Sequence, residues 1–367
     1  MNLLLGKERE IGIITIISII IFSNGLLFYL QNITEADLRK SVFEQQRQLQ
    51  IQSTKEIAQH VSSDITLIIS MLYALANSYY VQQGQLGNDK TTKLLDDTYH
   101  TYNLTIDRLF ILDKNDILVS NVRTQSSEFF LGEDFSFRDW VKETRSTLTS
   151  VFSGDFEREG IYREFISYPI LNSNQYIGTI VTSIPTVPFF AHYGDVNHVS
   201  SKFLVAYDSK GIILANGANN TLIGKEFFGQ DTQKFINHNK ILNNLTRTLL
   251  SGKPGSAVYD YGIGQRLTTQ YPIFVRGKPI FFVQIVTPTS EIYSKINNVL
   301  AIQRMSLFSI FIATSTAAIV VLILLLRKWN IILRKEVKRR TQELEESYEQ
   351  MKQYLEDVLK EVRGGKD

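Results

Sequence analysis

The chain has 367 residues, 44% of them hydrophobic, enough for a packed core in more than one compact unit. Its formal net charge of +2 excludes the basic surplus of a nucleic-acid binder. With no cysteine it has no disulfide framework, thiolate metal site or cysteine nucleophile.

Residues 1–10 read as a short cytoplasmic N-terminus carrying Lys7 and Arg9. Residues 11–30 are uncharged and rich in Ile and Leu. At about 1.5 Å rise per residue, such a run matches a hydrocarbon core about 30 Å thick. The run exceeds the h-region of a signal peptide, and only Ser23-Asn24-Gly25 offers a weak cleavage site, so an uncleaved anchor is expected. Residues 31–82 form the stalk. Its helical reading, from about Ile33 to Tyr80, holds no Pro or Gly and places Val61, Ile65, Ile68, Leu72 and Leu75 on one face.

After Gly84-Gln85-Leu86-Gly87 the pattern turns to strands, opening a module expected over 83–194. Strand residues 108–113 meet the turn Lys114-Asn115-Asp116, and 117–119 resume the strand. A short helical stretch near 134–145 precedes strands at 164–170 and 176–184. A second module, expected over 195–290, repeats the phrase. Residues 203–208 end in Asp208, Ser209-Lys210-Gly211 turn the chain, and 212–214 return. A helical stretch at 233–251 and strands at 256–261, 266–271 and 279–286 follow. The fold class is α+β.

Residues 291–304 read as a connecting helix and 305–326 as a second span, closed by Arg327 and Lys328. Seven Lys or Arg against the single acid Glu336 follow by residue 340. Positive-inside bias therefore places both termini in the cytoplasm and 31–304 outside. Sequons at Asn32, Asn103, Asn219 and Asn244 all fall in that external part. In 327–367, Val337, Leu344, Met351 and Val358 recur every seven residues, with Thr341, Tyr348, Leu355 and Val362 four behind them. That is an a/d stripe for a parallel dimeric coiled coil; a solvated single helix is the plainer alternative.

The external part resembles the double Cache (dCache) sensor family, most closely its archaeal membrane proteins. The resemblance rests on the order of several features. These are the entry from span to long helix, Phe110-Ile111-Leu112-Asp113 with its turn, Asp134-Phe135-Ser136-Phe137-Arg138-Asp139-Trp140, and Ser167-Tyr168-Pro169-Ile170 before Ile177-Gly178. Val205-Ala206-Tyr207-Asp208, Leu222-Ile223-Gly224-Lys225 and the exit at Thr287-Pro288 continue it. The resemblance implies a PAS-like fold in each module and small-molecule sensing in the membrane-distal one, 83–194.

Arg138 offers bidentate hydrogen bonds to a carboxylate, and Trp140 beside it offers an apolar wall. In the amino-acid-sensing branch of the family an Arg-x-Trp pair holds the ligand carboxylate. Other positions of that motif depart: Val141 and Glu133 stand where aromatics are expected, and Thr182, Ser183 and Ile184 where an Asp would meet the ammonium. A carboxylate or other small metabolite is therefore expected rather than an amino acid, with Phe135, Arg138, Trp140, Phe156, Tyr162, Tyr168 and Ser183 as the ligand-binding set. The structural alternative has Trp140 anchoring the core, Arg138 paired with Asp139, Glu133 or Asp155, and the other aromatics as packing.

The histidines at 60, 100, 192, 198 and 238 show no metal-ligand spacing. Asp113-Lys114-Asn115-Asp116 lacks the Gly and Glu of a calcium loop. No nucleophile elbow or nucleotide loop occurs, so neither enzyme nor cofactor is expected. The expected function is a dimeric transmembrane sensor of a small extracellular metabolite, signalling to a cytoplasmic kinase or adaptor. The alternatives are a sensor histidine kinase whose catalytic part lies outside this sequence, since 339–344 resemble linkers before kinase dimerisation domains, and a non-sensing surface scaffold.

Overall fold

A computed structural model describes residues 2–102, 106–122, 130–156, 160–196 and 201–364, with side chains except at 2–10, 155–156 and 360–364. The sequon at Asn103, the histidine at 198 and the last three residues lie outside it, as do the side chains of Asp155, Phe156 and Val362. The chain divides into two compact units, Ser41–Lys295 and the pair of segments Met1–Lys40 and Ile296–Asp367.

Helix α1 (Asn2–Ala76) stops at Asn77 and Ser78, and α2 (Tyr79–Gln82) and α3 (Asp89–Tyr102) follow. The first half of the larger unit then holds β1 (Arg108–Asp113), β2 (Leu118–Asn121), α4 (Asp139–Thr147), β3 (Val151–Phe156), β4 (Tyr162–Asn172), β5 (Gln175–Pro185) and α5 (Thr186–Ala191). The second half holds β6 (Phe203–Asp208), β7 (Ile213–Asn216), α6 (Gln230–Phe235), α7 (Lys240–Leu250), β8 (Gly255–Tyr259), β9 (Arg266–Val275) and β10 (Lys278–Pro288), after which α8 runs over Thr289–Gly364.

Each half is a five-stranded antiparallel sheet, ordered β2-β1-β5-β4-β3 and β7-β6-β10-β9-β8. The repeated phrase in the sequence thus marks a repeated topology. One turn chemistry opens both sheets. Asp113 Oδ1 accepts from the backbone of Asn115 and Ile117, and Asp208 Oδ1 from that of Lys210 and Ile212. The fourth position is left-handed in both, Asp116 at φ 67° and Gly211 at φ 82°, a conformation Gly and Asp accept at little cost.

Three differences from the sequence reading are local. The expected helix at 233–251 breaks into α6 and α7, because Asn237 and His238 both take positive φ, 51° and 50°. Strand β3 and helix α3 carry little periodic signal in the sequence, since β3 contains Gly154 and Asp155 and α3 has few apolar residues.

The core lies between α1 and one face of both sheets. Val61, Ile65, Ile68 and Leu72 are buried there, packed in one cluster with Ile166 and Ile180 of the first sheet and Ala206 and Val283 of the second. Each Val, Ile or Leu among them contributes roughly 1.5–3 kcal/mol by leaving water. Hydrogen bonds add register in the second half. Gln50 donates to the carbonyl of Ile285 at 2.9 Å, and the hydroxyls of Thr54 and Thr269 lie 2.6 Å apart.

In the smaller unit, α1 and α8 run antiparallel. Glu35 accepts from Arg304 at one end of the contact, and Trp329 lies against Gly12 at the other, where a Cβ would sit 2.7 Å from the indole. The stretches between these contacts are about 35 Å on α1 and about 37 Å on α8 at 1.5 Å per residue. Both helices are long and apolar enough to cross a membrane. Beyond Trp329 the stripe residues Val337, Leu344, Tyr348 and Met351 are all exposed.

Candidate functional site

The site builds up on the face of the first sheet turned away from α1. Alternation along β4 sends Phe165 to that face and Tyr162, Ile166 and Ile170 to α1. An Asx turn leads into α4. Asp134 Oδ1 accepts from the Ser136 backbone at 2.8 Å, which holds its carboxyl below the usual range, and Phe135 N–H donates to the Asp116 carbonyl. Arg138 is the N-cap residue, in extended conformation, and Asp139 in the first turn suits the helix dipole. Thr144 then pins α4 to the sheet, its hydroxyl 2.5 Å from that of Ser167.

This geometry makes an aromatic wall. Trp140 stacks on Phe165 at 5.6 Å and 7°, with Phe110 and Phe135 closing the group at 6.5 and 6.2 Å from the indole. Trp140 is only 3% exposed, yet its Nε1–H has no hydrogen-bond partner among the described residues. A buried indole N–H normally finds an acceptor.

Polar groups continue the same face past Phe165. The register aligns Arg108 with Ser183 and Ser183 with Phe165, and puts Arg163 two residues further along β4. Asp107 Oδ2 accepts from Arg163 Nε at 2.7 Å, and its Oδ1 accepts from the Ser183 hydroxyl at 2.6 Å. Both arginines are 1% exposed. Burying guanidinium groups is costly, and residues kept there despite the cost are candidates for recognition.

Of the expected set, the structure brings together Phe135, Trp140 and Ser183, while Arg138 sits half-buried at the head of α4 with its guanidinium over the Phe137 ring, 5.2 Å from its centre. Tyr162 and Tyr168 do not join them. Both belong to the opposite face, where Tyr168 meets Tyr73 of α1 edge-on at 6.1 Å. The side chain of Phe156 lies outside the described ones. Sequence reasoning missed Asp107, Arg108 and Arg163. The signal was present in Asp107-Arg108 at a strand start and in Arg163 inside an apolar strand.

The matching face of the second half is closed. Tyr207 donates to Gln284, Gln284 to Gln270, and Gln270 to the Leu245 carbonyl, at 3.0, 3.0 and 2.6 Å. The cavity beneath α6 and α7 measures about 30 Å³, space for one or two waters. Among the described residues, no group of three or more potential metal ligands occurs in either half.

The chain matches no protein-family model and no curated protein. Its fold does match solved structures. The extracellular domain of the putative histidine kinase mmHK1S-Z3 superposes with a TM-score of 0.52 at 12% identity, over 71% of this chain and 98% of that one. The ligand-binding domain of the Pseudomonas aeruginosa PAO1 amino acid chemoreceptor PctB, in complex with L-Arg, gives 0.50 at 12% identity, over 68% and 98%. An extracellular ligand binding receptor from Desulfohalobium retbaense gives 0.49 at 16% identity, over 64% of this chain, which spans 39% of that receptor. The fold is thus shared with the extracellular domain of a putative histidine kinase and with the ligand-binding domain of a chemoreceptor.

Proposed function

We propose that this chain is a two-pass transmembrane sensor whose first half, as a membrane-distal Cache module of PAS-like fold, binds a small extracellular solute bearing a carboxylate. The unpartnered Nε1–H of buried Trp140, on the same face as Arg108, Arg163 and Ser183, carries this reading. A carboxylate would find one donor in the indole and a favourable positive field from the guanidinium groups on the same face, against an aromatic wall. The second half, as the membrane-proximal module, has closed its own polar network and serves to transmit.

Transmission would use α1 and α8. Solute binding favours one packing of the first sheet on α1, and differential affinity for two packings is what shifts the equilibrium. In this reading the spans are 11–30 and 305–326, and both termini lie in the cytoplasm. The stripe from Val337 to Val358 pairs with a second copy as a coiled coil, relaying to a cytoplasmic kinase or adaptor. A scaffold without a ligand is the second reading, favoured by the close stacking of Trp140 on Phe165.

The test is thermal melting of the full chain in nanodiscs against L-amino acids and mono- and dicarboxylates. At least one compound should raise the melting temperature in wild type and fail to do so in Arg138→Ala and Arg108→Met. A flat response across both groups of compounds refutes the sensor reading in favour of the scaffold.

A further inference from the structure

A second concave surface lies between the two sheets, away from Trp140. The cleft measures about 430 Å³, inside the 300–1,000 Å³ range of small-molecule sites. Its floor is apolar, formed by Val151 and Phe152 from the first half and Val275 and Ile280 from the second. Its rim is polar and split by charge.

The second half contributes two cations. Strands β9 and β10 are joined by the two-residue turn Arg276-Gly277, since Val275 pairs with Lys278. Both turn residues have positive φ, 51° and 80°, the signature of a tight hairpin turn. Asn would be the ordinary residue before the Gly; Arg276 takes the strained conformation instead. Arg276 and Lys278 thus stand at the cleft on a tight hairpin, and among the described residues neither has an ion-pair or side-chain hydrogen-bond partner.

The first half contributes hydroxyls. Leu148, left-handed at φ 51°, ends α4 and turns the chain so that Thr147, Thr149 and Ser150 line the opposite rim, with the hydroxyls of Thr147 and Thr149 3.0 Å apart. Among the described residues Glu143 is the one acid on the rim, and it too has no ion-pair partner there.

We propose that this cleft is a second solute site, taking a small polyhydroxylated anion such as a sugar acid or sugar phosphate. Arg276 and Lys278 hold the carboxylate or phosphate, and the threonine and serine hydroxyls, with Glu143 as acceptor, hold the ligand's hydroxyls. Val151 and Ile280 give its carbon skeleton an apolar floor. A ligand seated there touches both halves at once and fixes the angle between them. The site is independent of the Trp140 face, and either can exist without the other.

The experiment is isothermal titration of the full chain in nanodiscs with gluconate, glucuronate and glucose 6-phosphate, with glucose as the neutral control. At least one anion should bind at about millimolar affinity or better, and glucose more weakly. The variant Arg276→Asn/Lys278→Gln removes both cations while giving the turn its preferred Asn-Gly pair, so folding is preserved. It should weaken anion binding at least about tenfold, whereas Trp140→Phe should leave that binding unchanged. The proposal is overturned if none of the three anions binds, if the double variant binds them as well as wild type, or if Trp140→Phe abolishes their binding.

Discussion

Removing the Asp107 carboxylate should destabilise the protein out of proportion to an ordinary surface ion pair. Arg163 Nε lies 2.7 Å from Asp107 Oδ2, with side-chain exposures of 1% and 21%. Asp107→Ala leaves a buried guanidinium without this counter-charge and the Ser183 hydroxyl without its acceptor. Breaking a buried pair from one side costs about 3–5 kcal/mol. Asp107 is one-fifth exposed, so the lower end, about 3 kcal/mol, is expected. At ~2–4 °C per kcal/mol for a unit of this size, the melting temperature should fall by about 6–12 °C. Ser183→Ala should cost only about 1 kcal/mol. The double variant Asp107→Ala/Arg163→Met should be less destabilised than the two singles added together, with a coupling of at least about 1 kcal/mol. The assay is thermal melting of the full chain followed by circular dichroism. A loss of under about 1 kcal/mol for Asp107→Ala, the usual worth of an exposed pair, would show that the cluster is not the buried feature described.

Glu164 of β4 is 3% exposed, and burial first, then the negative charge of Asp208, raises its carboxyl well above the usual value. A carboxyl raised by folding binds more protons in the native than in the unfolded state, so its contribution holds below the ordinary carboxylate value and is lost as pH rises through the raised one. Glu164→Gln should therefore match wild type in melting temperature at about pH 4 and exceed it at about pH 8; a gap independent of pH would contradict this. Gly12→Leu would drive a side chain into Trp329, whose indole lies 2.7 Å from the position of a Cβ. Overpacking of this kind costs about 1–3 kcal/mol and should make Trp329 fluorescence more quenchable by acrylamide, with no change expected if the helices do not pack there. The chain has no cysteine, so Leu344→Cys supplies a single thiol on the exposed stripe. Oxidation should give a disulfide-linked dimer, Glu345→Cys should give far less, and equal yields would reject the seam.

The sequence carried the repeated sheets because a local device marks each one. Asp113 and Asp208 close the same turn on backbone N–H groups, and the apolar alternation behind them resets with each repeat. It did not carry β3, whose Gly154 and Asp155 read as a turn and which forms a strand only through its ladder with β4. The candidate site was half legible. Phe135 and Trp140 stand in one short motif, but Asp107, Arg108 and Arg163 meet only because strands 56 residues apart in sequence place them on one face. The side taken by Tyr162 and Tyr168 is hidden in the sequence for a related reason. A one-residue step along a strand exchanges the two faces, and only the observed register puts these tyrosines toward α1.

Trp140 gives the most direct access to the central claim, that a solute is recognised on its face of the first sheet. The chain has two tryptophans, so Trp329→Phe leaves Trp140 as the sole indole reporter. Titrated in nanodiscs with the amino acids and carboxylates of the thermal screen, this variant should show a saturable change in emission with at least one compound, and Arg108→Met should abolish it. Emission that no compound alters, while the same compounds leave the melting temperature unmoved, would contradict the account.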